Sequence, residues 1–266
     1  MSNVLYDDGT HKCISFTDLV EGEGIQANQF LIVHAGEGIL LDPGGNLTYK
    51  HLLAEMASYF LPAHLDYVFA SHEDPDIVAS ANGWLLITDA KILIANEWTR
   101  FLPHFCSKGM TAGRVIGIPP EGMVVNLAGH DLQVVPAHYL HAVGNFQVYD
   151  PLSKILFSGD LGANLVSGHD AAKVIEGAEA FHTHRALSSM DGFHRRYMGG
   201  QKVSRLWAQM ARSMEIEWIV PQHGASFKGK ETITAFLDWF ESLESGPDLL
   251  TAADFQYPIP TAGGVA

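Results

Sequence analysis

Two cysteines in 266 residues leave no material for a disulfide framework, and they exclude a Cys₄ or Cys₃His zinc site. Cys13 and Cys106 therefore read as reduced, buried thiols. Basic residues are scarce: 16 Lys and Arg face 30 Asp and Glu, a formal charge of −14, which argues against a nucleic-acid partner because such proteins present a basic footprint. Charged residues make up only 17% and apolar ones 47%, so a large core is available and a disordered acidic chain is excluded. No uninterrupted apolar run reaches membrane-spanning length, although LDYVFA and GWLLITDAKILIA are locally apolar. The start, MSNVLYDDGTHKC, lacks the basic and apolar segments of an export signal. The expectation is a cytoplasmic protein without a membrane segment. The glycine pairs Gly44-Gly45 and Gly199-Gly200 do not sit in phosphate-binding spacing and read as turns, and no serine nucleophile elbow occurs. The sequon Asn46-Leu47-Thr48 carries no weight without an export route.

Histidine, by contrast, is plentiful, with 14 in the chain. With so little sulfur available, a metal would be held by imidazole nitrogen and carboxylate oxygen, a donor set that suits zinc, iron or manganese. Residues 30–42 predict two short strands around AGEG, and 46–60 a helix through Leu47, Leu52, Leu53, Met56 and Phe60. HLDYVFA predicts a buried strand that stops at SHEDPD. GWLLITD and KILIANEW continue as further strand-like segments, and 101–120 carries no clear pattern. Hairpins are predicted around Gly129-His130 and around Pro151-Leu152-Ser153, which favours a mixed sheet over an all-parallel one. Helices are predicted over 171–186, over 201–214 with Val203, Leu206, Trp207, Met210 and Met214 on one face, and over 229–243. IEWIV predicts a strand feeding PQHG. Residues 1–266 read as one α/β domain, with 246–266 an extended tail over the surface.

Polar residues cluster where these strands stop. VFA runs into His72, Asp74 and Asp76; VVPAHYLH brings His138 and His141; KILFSGD ends at Asp160; IEWIVPQHG ends at His223. Strand ends gathered at one sheet edge are where α/β sites form. His72 and Asp74 are two positions apart and share a side of an extended chain, Asp76 joins them if the loop stays extended, and Pro75 biases Asp74 toward that conformation. The bland alternative is a solvated acidic turn capped by His72.

Taken together, these stretches resemble the metallo-β-lactamase superfamily, more closely the di-iron domain of flavodiiron proteins and the stand-alone oxygen-binding di-iron proteins, over roughly residues 25–230. The resemblance implies an αββα sandwich, two mixed sheets face to face with helices outside. Zinc hydrolases of the superfamily usually show H-x-H-x-D-H, and flavodiiron proteins H-x-E-x-D; here His72, Asp74 and Asp76 follow the carboxylate-rich pattern with Asp in place of Glu, and Ile77 occupies the final histidine position. By the resemblance His72, Asp74 and His141 hold one metal, Asp76 and His223 the other, and Asp160 bridges them, with His138 the rival of His141 or its outer partner. Three carboxylates and three imidazoles form a hard ligand set for two iron ions; two zinc or manganese ions are the alternative.

The implied function is binding of dioxygen, as a sensor or carrier, or reduction of dioxygen or nitric oxide by an oxidoreductase fed from outside. Flavodiiron proteins carry a flavodoxin domain of roughly 150 residues after this core; the chain ends about there and shows no FMN loop, so a separate flavin or rubredoxin-like reductase or a signalling partner is expected. A binuclear hydrolase of phosphodiesters, thioesters or lactams is the alternative, and a non-catalytic interaction protein the third. The oligomeric state stays open, a homodimer among the options. Finally, 181–200 concentrates His182, His184, His194, Arg195, Arg196 and Tyr197; one reading places His194 or Tyr197 over an open metal position, the other makes the segment a solvated connection between helices.

Overall fold

In the computed structural model, which describes residues 1–166 and 168–257, strands and helices stack in four layers. The first sheet holds β1 (Ser2–Asp7), β2 (His11–Phe16), β3 (Gln29–His34), β4 (Glu37–Leu41), β5 (Tyr67–Phe69), β6 (Lys91–Ala95) and β7 (Val115–Ile118), in that spatial order. Its first four strands pair antiparallel and its last three join in parallel. The second sheet holds β8 (Met123–Leu127), β9 (His130–Pro136), β10 (Phe146–Asp150), β11 (Ile155–Phe157), β12 (Val174–Glu176), β13 (Trp218–Val220) and β14 (Ser226–Lys228), ordered β12-β14-β13-β11-β10-β9-β8. Both sheets are mixed.

Period-two alternation decides which residues face which layer. On β3, Phe30 and Ile32 join Phe146, Val148 and Phe157 of the second sheet in the core between the sheets. Leu31, one residue out of step, turns to the other side and packs with Leu52, Met56 and Trp84. That outer layer consists of α1 (Tyr49–Met56), α2 (Pro75–Val78) and α3 (Ala81–Ile87). The second sheet is covered by α4 (Ala178–Leu187), α5 (Met190–Tyr197), α6 (Gln201–Ala211) and α7 (Lys230–Ser242), around Phe181, Trp207, Phe236 and Phe240. This is the αββα sandwich, with an apolar core between the sheets and one under each helical layer.

The predicted hairpins are present, and their turns have a simple cause. Ala35-Gly36 and Ala128-Gly129 both take positive φ at two central residues, the geometry whose twist matches paired strands. Three segments differ from expectation. GWLLITD is α3, not a strand: Ala81, Trp84 and Leu85 are buried at helical spacing while Leu86 and Ile87 face out. The 171–186 segment splits, because Gly177 at φ 96° separates β12 from α4. In α6 the buried face is Ser204, Trp207, Ala208 and Ala211, and Leu206 is 59% exposed. Residues 2–16 form the β1–β2 hairpin, and 115–118 form β7. The tail folds into short 3₁₀ turns at Gly246–Leu249 and Ala252–Phe255, and its residues 258–266 lie outside the described residues.

Candidate metal centre

β5, β11 and β13 end at the same edge of the sandwich, and the loops that leave them carry His72, Asp160 and His223. A fourth loop, between β9 and β10, adds His141. Asn145 shapes this last loop, its side-chain amide donating to the Leu140 carbonyl (2.6 Å) and its own carbonyl accepting from Ala137 N–H.

Asp160 lies at the centre and is 3% exposed. Its Oδ2 is 3.0 Å from His141 Nε2 and 3.8 Å from His72 Nε2. Its Oδ1 is 3.4 Å from His223 Nε2. Asp74 Oδ2 sits on the first side, 3.4 Å from His141 and 3.7 Å from His72, whereas Asp76 Oδ2 lies 3.4 Å from His223 on the second. The SHEDPD loop divides its own acids: Asp74 is extended at ψ 148°, and α2 begins at Pro75, so Asp76 enters a helical turn and points elsewhere. The expected extended run through Asp76 therefore gives way to a group of four residues and a group of three that share the Asp160 carboxylate.

The imidazoles are aimed from behind. His223 Nδ1 donates to the Gln26 carbonyl at 2.7 Å, and His72 Nδ1 is 2.9 Å from Ser71 Oγ, so each Nε2 faces the carboxylates. Ser71 is itself positioned by Asp42, whose Oδ1 accepts its N–H at 2.8 Å. Asp42 is buried, which pushes its carboxyl up to about 6 despite that bond. Gln26, Asp42, Ser71 and Asn145 are the supporting residues that motif reading missed. Only Asp42, an acid placed where an apolar strand ends, left a signal.

Electrostatics show what the cluster needs. Burial opposes a charged His141, but hydrogen bonds to Asp160 and Asp74 outweigh it and push the ring up to about 10. Burial likewise opposes charge on His72 and His223, and the nearby carboxylates again win, raising both. Asp160 is held well below the usual carboxylate range: burial works against its charge, and His223 and His72 overcome that. The carboxylates thus favour positive charge on all three imidazoles. Even so, His72 Nε2 and Asp160 Oδ1 are buried with no hydrogen-bond partner, a costly state that a coordinated cation would relieve. The ligand atoms of His72, Asp74, His141 and Asp160 all lie within 4.8 Å of one another. The residues fit a pair of metal ions, with oxygen and nitrogen donors and no thiolate.

His138 stands apart: its Nε2 donates to the Pro120 carbonyl at 2.7 Å and its ring packs on Phe146. His194, which one of the two readings placed over the metals, is buried with both ring nitrogens engaged, Nδ1 on the Met190 carbonyl (2.7 Å) and Nε2 accepting from Gly162 N–H (2.8 Å). Tyr197 does border the site, its ring 5.9 Å from that of His141 and 4.9 Å from that of Phe193. Ile77 turns into the core and is fully buried. Of the remaining polar groups in 181–200, Arg185 on α4 pairs with Asp191 on α5 at 2.8 Å and His184 meets Asn164 at 3.1 Å; the segment is itself two helices, not a connection between them. A cavity of about 520 Å³ opens onto Asp74, Asp76, His141, Asp160 and His223, walled by apolar side chains including Ile25, Leu47, Leu165 and Phe193.

Two mixed sheets between helices, with imidazoles and carboxylates converging at one edge, define a protein of the metallo-β-lactamase superfamily. The family model described as "ODP family beta lactamase" matches residues 25–224, and the chain belongs to that family. The chemotaxis sensor ODP from T. denticola, solved in its apo state, is 36% identical with a TM-score of 0.82, covering 94% of this chain and 97% of that one. A variant flavo di-iron protein from Thermotoga maritima shares the fold at 19% identity and a TM-score of 0.74, over 91% of this chain and 60% of its own. The putative diflavin flavoprotein A 4 of Synechocystis sp. is 29% identical over 150 residues, 54% of this chain. The chain spans between about a quarter and about half the length of the curated relatives it matches.

Proposed function

We propose that this chain is a binuclear non-haem iron protein that binds dioxygen as a sensor or carrier in the cytoplasm. His72, Asp74 and His141 would hold one iron and Asp76 and His223 the other, with Asp160 between them. The observation that carries this reading is the position of Asp160: its two oxygens face two separate imidazole–carboxylate groups, and one of them is buried without a partner. A pair of ferrous ions supplies redox-active binding of a diatomic ligand, chemistry outside the reach of side chains.

The chain's own residues do the rest. Three carboxylates offset most of the charge of two divalent ions, and Gln26 and Ser71 hold imidazole orientation. Phe193, Leu47 and Leu165 present apolar surface that limits water at the site, while Tyr197 stands beside His141. Ile77 withdraws a seventh ligand and leaves room for a small molecule. Similarity to a chemotaxis sensor supports a separate signalling partner over built-in turnover.

Protein purified anaerobically with iron should carry about two irons per chain and change its optical spectrum on adding oxygen, without sustained oxygen consumption. Two tightly held zinc ions and no iron-dependent response to oxygen would refute the reading. Continuous oxygen uptake when a flavin or rubredoxin-like reductase is supplied would make it a reductase instead.

A further inference from the structure

A second group of metal-binding side chains lies at the other end of β10. That strand runs from Phe146, near the centre described above, to Asp150, five residues and roughly 13–17 Å away at ~3.3 Å per residue. Asp150 is fully buried and faces β2 of the opposite sheet, where His11 and Cys13, two positions apart, point to the same side and are also fully buried. His11 Nε2 is 2.9 Å from Asp150 Oδ2, Cys13 Sγ is 3.3 Å from His11 Nε2, and Sγ is 3.5 Å from the same carboxylate oxygen. Ser153 Oγ lies 3.7 Å from Sγ and hydrogen-bonds Asp150 Oδ2.

We propose that His11, Cys13 and Asp150 form a second, mononuclear site for a divalent transition ion of the zinc type, with the Ser153 hydroxyl at the fourth position, clamping the two sheets together opposite the binuclear centre. A tetrahedral ion with bonds of ~2.0–2.3 Å holds neighbouring donors about 3.3–3.8 Å apart. The three atoms are already close to that triangle, and all lie within 4.8 Å of one another. The surrounding shell is in place as well. His11 Nδ1 is 3.2 Å from His34 Nδ1 on β3, a contact that leaves Nε2 for the ion. His130 Nε2 donates to Asp150 Oδ1 at 2.7 Å, joined there by the Leu152 N–H, while Ser153 N–H donates to Oδ2 at 3.3 Å, so the carboxylate is fixed with Oδ2 toward His11 and Cys13.

Cys13 Sγ donates as a thiol toward Asp150 Oδ2 at 3.5 Å. Coordination forms the Sγ–metal bond and releases that proton to solvent. A site made of one sulfur, one nitrogen and two oxygens is outside the all-cysteine patterns that two cysteines exclude.

Cobalt(II) titration of the full chain, first stripped by chelator and kept anaerobic, tests this directly. The expected result is three equivalents bound, one of them accompanied by a thiolate-to-cobalt charge-transfer band. Cys13→Ser should lose that band and keep the two equivalents of the binuclear centre, and His223→Ala should keep the band while losing a different equivalent. Two equivalents and no thiolate band in the unaltered chain would mean that protons alone hold the cluster, and would overturn the proposal. So would a band that survives in Cys13→Ser and vanishes in Cys106→Ser. The unaltered chain decides by itself if Cys13→Ser does not fold.

Discussion

His194 illustrates how a buried histidine can serve packing alone. Each ring nitrogen has one partner, and Trp239 and Phe240 close around the ring. Desolvation pushes it down to about 4, from 6.5. The ring is neutral when folded, whereas the unfolded chain takes up a proton below pH 6.5. Its contribution is therefore fully present above that pH, falls as the pH drops toward 4, and then levels off. The shift corresponds to roughly 3 kcal/mol. Urea unfolding midpoints measured from about pH 7 to about pH 4 should fall less steeply for His194→Gln than for the parent, even though the variant starts lower from its lost hydrogen bonds. Parallel slopes would show that the histidine does not titrate in this way.

At the scale of elements, short strands do the positioning. β11 and β13 are three residues each, and their pairing in parallel brings Ser158 N–H to the Val220 carbonyl and Gln222 N–H to the Gly159 carbonyl, locking the Asp160 and His223 loops to each other. Gly224 makes this possible: it sits at φ 82°, and a Cβ there would collide with the Asn164 carbonyl. Asn164 N–H in turn donates to the His223 carbonyl. Gly224→Ala should destabilise the chain by more than about 1 kcal/mol and, by displacing His223, reduce bound metal from two equivalents toward one at the centre. Metal analysis beside a thermal melt checks it; an unchanged melt with full metal content would show that the loop relaxes freely. Much of this layer was legible beforehand. Strand ends followed by His, Asp or Glu stood out in VFA–SHEDPD, ILFSGD and IVPQHG because burial and polarity change abruptly there. GWLLITD was misread because seven apolar-rich residues suit either period until burial shows which side chains turn inward.

Across the whole molecule, the two sheets carry a covering of helices and two candidate metal clusters at opposite edges. Among the described residues no helix is long and apolar enough to cross a membrane. The proposed binuclear centre is assembled from four loops that come together only in the folded chain, so metal binding there would be linked to stability. At a hundredfold excess over Kd, one bound ion contributes about 2.7 kcal/mol, and a chain of this length shifts by roughly 2–4 °C per kcal/mol. Removing metal with a chelator should lower Tm by at least about 5 °C, and adding ferrous iron or zinc should restore it. An identical Tm before and after removal would separate metal binding from folding. Protons compete for the same imidazoles, so metal affinity should rise with pH wherever His141, with its value near 10, still carries its proton.

The amino-acid sequence by itself determined the donor chemistry: few cysteines, many histidines, and acids spaced after apolar strands, all properties of neighbouring residues along the chain. It also determined the mixed character of the sheets, since hairpin turns and alternation act over a few residues. Tertiary structure alone decided which of those groups meet. His141 turns to Asp160 while His138, three residues earlier, turns to Pro120; His194 points into the core; and His11 meets Asp150 across 139 residues of chain. Such encounters depend on how two twisted sheets pack face to face, and local periodicity carries no record of that packing.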